Sequence, residues 1–165
     1  MERHNLHATA RDMYVSDMGE RIVSLFSLFN VVDGKGEKFN QGELGRWLCE
    51  SAWFPTNLLP GEKLQWTSID AQTAKLIFNY KGLSLFCIVT FNDAGEITQV
   101  ETKRYMGEEG KEKLETWIGK LTGYKEMNGI VVSTTVEALW KLEKGNYSYA
   151  RFNVKKIEYN NPKIF

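Results

Sequence analysis

The sequence predicts an α+β fold: a strongly curved, mostly antiparallel β-sheet, an open or half barrel, with one main covering helix over residues 40–54. Three observations carry that expectation. Ile130, Val132, Thr134, Val136, Ala138, Trp140 and Leu142 share one side of an alternating run, the period of a half-buried strand. Short turn sequences separate successive strand-like runs, and such connections make neighbours antiparallel because a parallel crossover needs a dozen or more residues. A single stretch, Gly42 to Pro60, breaks the alternation with helix signals and a proline stop.

Taken in order, Leu6–Val15 and Glu20–Val32 read as strands around an Asp17-Met18-Gly19 turn. The helix follows. Asn40 is placed as its N-cap, with Glu43 as the reciprocal member of a capping box. Leu44, Trp47, Leu48, Ser51 and Ala52 span one apolar arc, opposite Arg46 and Glu50. Pro55 stops the helix, since the residue before a proline is pushed out of helical space. Trp53 falls on the Arg46 side, where it either packs beneath Phe54-Pro55 and Leu58-Leu59 or lines a cavity mouth. Thr73–Tyr80, Leu83–Phe91 and Glu96–Tyr105 are strands joined at Lys81-Gly82 and Asn92–Gly95. Leu83–Phe91 is apolar on both sides, with Phe86 and Ile88 opposite Cys87, and should be covered on both. Asn128-Gly129 is a type I′ hairpin signal pairing Tyr124–Met127 with the long Ile130 strand, and Lys144–Asn146 turns into Tyr147–Tyr159.

Length and charge bound the function. A chain of 165 residues suits one domain, residues 1–165, able to bury roughly two thirds of its unfolded surface without disulfide or metal support. Lys plus Arg and Asp plus Glu stand at 21 each, so no global field draws in nucleic acid or an anionic bilayer. No window reaches the ~18 apolar residues of a membrane span, so the chain as given reads as soluble, a cytoplasmic or extracytoplasmic domain. Cys49 and Cys87 allow two buried free thiols or a single bridge, but no metal cluster.

Motifs for catalysis are missing. His4 and His7 sit at the N-terminus, away from any triad or metal spacing. Glu108, Glu109, Glu112 and Glu115 alternate with lysine and glycine and describe a solvated linker. Arg46 and Glu50 read as an exposed helix ion pair or, more sharply, as a polar anchor for a ligand head group. Arg11 and Arg104 could meet Asp12 or Asp70 in structural pairs, and an enzyme reading requires Glu50, Asp70 or Arg104 to converge in a cleft. No cofactor is implied, and the chain reads as a non-enzyme.

The segment Arg46-Trp47-Leu48, Ala52-Trp53-Phe54-Pro55-Thr56 and Leu58-Leu59-Pro60, followed by Trp66 and Ile69-Asp70, resembles the signature of a widespread bacterial family of unknown function. Members read G-E-L-x-R-x-L-A-E-x-x-W-F-P-T-x-L-L-P at this place. Further matches are Phe91 through Asp93-Ala94-Gly95, Arg104-Tyr105, Gly123-Tyr124, Gly129, Glu137-Ala138 with Trp140, and Tyr149 with Arg151, so the likeness runs from about Asp12 to Tyr159. Ser133-Thr134 stands where the family usually has Pro-Thr, and Ala150 where an aromatic is common. The resemblance implies the C-terminal domain of longer proteins. The strand-rich, helix-covered pattern is also similar to the open-barrel cradle of periplasmic lipoprotein carriers.

Aromatic load supplies the functional expectation: nine Phe, seven Tyr and five Trp. A curved sheet closed by one helix can carry more apolar wall than its own side chains fill. The expected function is non-catalytic binding of a lipid or other apolar small molecule, with walls at Trp47, Trp53, Phe54, Phe86, Trp140 and Tyr149 and Arg46 near the entrance. The competing expectation is an interaction domain that docks an aromatic face on a partner or on an upstream segment. Oligomeric state is not legible in the sequence.

Overall fold

Strands dominate the computed structural model of the protein, which describes residues 8–25, 29–107 and 111–161, and a single α-helix stands among them. His4, His7, the expected strand start at Leu6, and Glu108 and Glu109 lie outside the described residues. The chain divides into two units, Met1–Leu48 and Cys49–Phe165.

In the first unit, β1 (Ala8–Val15), β2 (Met18–Leu25) and β3 (Phe29–Lys35) form an antiparallel sheet in sequence order. Two expectations are corrected here. The expected strand Glu20–Val32 is divided between β2 and β3, which pair with each other. The first turn sits at Ser16-Asp17, with φ of 51° and 68°, so that Val15 faces Met18 and Gly19 falls inside β2. Gly19 serves a close approach instead: a Cβ there would lie 2.4 Å from the Phe39 carbonyl oxygen.

The helix α1 (Glu37–Glu50) starts a turn earlier than the Asn40 cap predicts. Gly36, at φ +111°, swings the chain into it, and the Asn40 N–H already donates to the Gly36 carbonyl at 2.9 Å. The Asn40 side chain accepts the Gly19 N–H at 2.6 Å, while Glu43 is buried against Arg21 at 3.2 Å. Both members of the expected capping box are thus engaged by β2. The helix also ends before residue 54: Ser51–Trp53 and Pro55–Leu58 are 3₁₀ turns, separated by Phe54 at φ −127°, ψ 68°. Leu44, Leu48 and Ser51, at i, i+4 and i+7, are buried as expected, but Trp47 is 39% exposed.

The second unit holds seven antiparallel strands in sequence order: β4 (Leu64–Ser68), β5 (Thr73–Tyr80), β6 (Leu83–Phe91), β7 (Ile97–Met106), β8 (Lys113–Met127), β9 (Ile130–Leu142) and β10 (Gly145–Asn153). β4 and β10 are edges, so the sheet is not closed, and the fold is an α+β open or half barrel in class. Asn128-Gly129 turns with φ of 51° and 81°, the paired positive values of a type I′ hairpin, and Lys81-Gly82 does the same at 46° and 85°. Asn92 caps its own turn, its side-chain oxygen accepting the Ala94 and Glu96 N–H groups.

Two lengths differ from expectation. β8 begins at Lys113 and carries Glu115, so the region taken for a solvated linker opens a strand of 15 residues. Its register with both β7 and β9 supplies partners that local composition does not announce. β10 ends at Asn153 instead of running to Tyr159; Val154 donates to the Thr134 carbonyl, and Tyr159 reaches the Trp53 carbonyl at 2.9 Å.

Candidate functional site

Antiparallel register sorts the second unit's residues into rows. Ala74, Val89, Val100, Gly119, Ala138 and Ala150 lie side by side across β5 to β10. The neighbouring row on this face runs from Trp66 through Leu76 to Cys87 and is continued by Thr102, Trp117, Trp140 and Tyr147. At the β5–β7 end the face is apolar and sealed, with Leu76, Cys87 and Val89 at 2% exposure or less. At the β8–β10 end it becomes aromatic and opens toward solvent.

The small row makes the aromatic row possible. A Cβ on Gly119 would meet the Trp117 ring at 2.8 Å, so this glycine lets the indole lie down along the strand. Trp117 is buried, with the Arg104 guanidinium 5.5 Å from its ring centre. Its Nε1–H donates to the Tyr149 hydroxyl at 2.8 Å. Tyr149 in turn stacks on Trp140, with ring centres 6.1 Å apart and planes 25° from parallel. A bulge between Ser148 and Ala150 inserts Tyr149 as an extra residue and aims it over this cluster. Tyr149 nevertheless remains 45% exposed, and Tyr147 and Phe152 of the same edge strand are similarly open. The result is an aromatic surface whose orientation is set from beneath by a buried tryptophan.

Of the residues expected to line a ligand site, Trp140 and Tyr149 come together in this cluster. Trp53 and Phe54 form a second group: the Trp53 Nε1–H donates to the Ser133 carbonyl at 2.9 Å, and Phe54 meets the Tyr159 ring edge-on at 6.0 Å. Phe86 lies on the face opposite Cys87, 44% exposed beneath the Lys75 ammonium at 5.0 Å. The expectation that both faces of β6 are covered is therefore corrected at Phe86. In the first unit, Arg46 is joined to Asp12, which also accepts Arg21 Nε at 2.8 Å. Asp12 thus pairs with arginines of β2 and α1 in place of its neighbour Arg11. Trp47 is half-exposed on α1.

Sequence reasoning passed over Trp117, Tyr147 and Phe152. The signal for Trp117 was present in Gly119 two positions on, a glycine inside a strand on the same side of the pleat. Asp70 is exposed and caps the turn into β5, its carboxylate accepting the Gln72 N–H at 2.9 Å. Tyr124, whose hydroxyl donates to the Ile97 carbonyl at 2.6 Å, is pushed up to about 12 by burial, with Glu96 adding to the effect. Among the described residues no group of three His, Cys, Asp or Glu side chains is arranged for a metal ion, and no helix is long and apolar enough to cross a membrane.

Comparison with curated proteins and with solved structures found no match. A family model covers residues 1–152, and the chain belongs to that family, a family of unknown function designated DUF6544.

Proposed function

We propose that the protein is a non-catalytic binding module whose second unit holds an apolar or lipid-like ligand against the β8–β10 end of the Cys87 face, in the manner of a lipoprotein-carrier cradle. One observation carries the reading. Tyr149, nearly half exposed, is held in place by a buried Trp117 hydrogen bond and a Trp140 stack. Exposed aromatic surface that is already oriented loses little side-chain entropy on binding, so the apolar area it buries is retained as affinity. Tyr147 and Phe152 extend the surface along β10.

The test is titration of the whole protein with a fluorescent fatty-acid analogue, alongside native mass spectrometry of material purified without detergent. Binding that falls about ten-fold or more in Tyr149→Ala, with far-UV CD unchanged, supports the proposal; ~1.4 kcal/mol per ten-fold is within reach of one lost aromatic contact. A wild-type protein that neither carries nor takes up such a ligand overturns it. Self-association that rises with concentration and disappears in Tyr149→Ala would instead favour the interaction-domain reading, because β10 is a sheet edge with three exposed aromatics.

A further inference from the structure

The formal net charge of the chain is zero, yet its charges are not spread evenly over the second unit's sheet. Alternation from Cys87 places Phe86 on the opposite face, and register carries that face across the neighbouring strands. Lys75 stands on β5, diagonal to Phe86. Lys103 and Tyr105 follow on β7, facing Thr116 and Leu114 of β8, and Lys141 of β9 lies opposite Thr116. Among the described residues, the paired positions of the three register rows that hold these side chains contain one acid, Glu101, opposite Ile88.

The same patch is apolar where it is open. Leu114 is 48% exposed and Phe86 and Tyr105 are comparably open, while Ile77 and Ile88 are half-buried beside Phe86. Lysines flank this apolar centre on both sides. The Lys75 ammonium lies 5.0 Å from the Phe86 ring centre. On the other side, the Thr102 hydroxyl donates to the Phe86 carbonyl at 2.6 Å, which sets β7 against β6 there, and the Lys103 ammonium donates to Thr116 Oγ1 at 2.7 Å. Side chains of this kind have complementary places at an anionic bilayer: Leu, Phe and Tyr enter the interface, and ammonium groups stay at the level of the negative head groups. Single-stranded nucleic acid offers the same charge, but it engages aromatic rings by stacking and leaves Leu114 without a role.

We propose that the Phe86 face of the second unit docks on the surface of a membrane containing anionic lipid. The lysines supply long-range attraction, and Phe86, Tyr105 and Leu114 supply the apolar contact that holds the protein once it arrives. The proposal stands apart from the ligand reading, which uses the opposite face of the sheet.

The experiment is co-sedimentation of the whole protein with vesicles of phosphatidylcholine alone, or of phosphatidylcholine with about one third phosphatidylserine. Binding to the anionic vesicles should exceed binding to the neutral ones by about ten-fold or more, and should fall steeply between about 0.1 M and 0.5 M salt. Lys103→Gln and Lys141→Gln should each weaken it about five-fold. Leu114→Ser and Phe86→Ser, at exposed positions, should each weaken it about ten-fold with far-UV CD unchanged. Tyr149→Ala, on the other face, should leave vesicle binding intact even where it abolishes uptake of a fatty-acid analogue. Equal binding to the two vesicle types, or full binding by both serine variants, overturns the proposal. Loss of vesicle binding in Tyr149→Ala overturns it too, since the contact would then lie on the Cys87 face. Tighter binding of a single-stranded oligonucleotide than of anionic vesicles at the same salt would assign the Phe86 face to nucleic acid instead.

Discussion

Replacing Trp53 with phenylalanine separates an anchoring role from a ligand-lining one. The indole donates to the Ser133 carbonyl at 2.9 Å, and Ser133 is 1% exposed, so its carbonyl has no ready access to water once the donor is gone. The lost hydrogen bond and the stranded acceptor together cost about 1–2 kcal/mol. The smaller ring leaves apolar surface unburied, worth about 1 kcal/mol more. A total of about 2–3 kcal/mol corresponds, for a chain of this size, to a fall in Tm of roughly 4–12 °C. Urea unfolding followed by CD, with an unchanged m-value, measures it directly. Tyr159→Phe, which removes the hydroxyl bound to the Trp53 carbonyl at 2.9 Å, should cost about 1 kcal/mol. A double-mutant cycle should find the two coupled by about 0.5 kcal/mol or more, since both act through one residue. If Trp53→Phe stays within about 0.5 kcal/mol of wild type yet weakens binding of an apolar probe, the anchoring argument is refuted and the residue lines the ligand.

Gly19→Ala tests the first unit: the new Cβ would sit 2.4, 2.5 and 2.7 Å from the Phe39 carbonyl oxygen and carbon and the Asn40 nitrogen, all backbone atoms that no rotamer change can move. A loss of about 3 kcal/mol or more is expected in chemical denaturation, and wild-type stability would refute the approach of α1 to β2. Tyr124 should impose an alkaline slope. Its folded value, up to about 12, lies above the ordinary 10.0, so its stabilisation is complete below pH 10 and is lost as pH rises toward 12. Because the ring is only half-buried, solvent screening reduces the effect to about 1 kcal/mol. Tyr124→Phe should flatten that slope in pH-dependent unfolding, and an unchanged slope would assign it to other groups.

The hairpins at Asn128-Gly129 and Lys81-Gly82 were legible because a glycine in the second turn position marks the positive φ locally, whereas the Ser16-Asp17 turn, with positive φ and no glycine, was displaced toward Gly19. The strands β5, β6 and β9 were legible from their apolar alternation. The division between β2 and β3 was not, since residues 20–32 contain a continuous β-favouring run with no glycine or proline to mark a reversal. The start of β8 was hidden for the opposite reason: its first residues are charged, and its pairing with β7 and β9 overrides that composition. The helix start failed through tertiary competition. Asn40 and Glu43 have the spacing of a capping box, but Gly19 and Arg21 of β2 engage their side chains. Trp140 and Tyr149 could be named in advance as large aromatics. That they stack depends on the bulge in β10, which no local rule supplies.

The exposed end of the sheet can be traced to one missing side chain. A glycine inside a strand costs about 1 kcal/mol in backbone entropy, so its presence calls for a compensating contact. At Gly119 that contact is the Trp117 ring, which needs the space a Cβ would fill. Once flat, Trp117 directs its N–H at the edge strand, where the extra residue of the bulge, Tyr149, receives it. Tyr149 is then fixed at its hydroxyl and along its ring while much of its surface stays wet. A core built for stability alone would bury that surface or replace it with a polar residue. The chain from Gly119 to Trp117 to Tyr149 thus spends buried interactions on orienting an exposed aromatic, which is the arrangement a preformed binding surface requires.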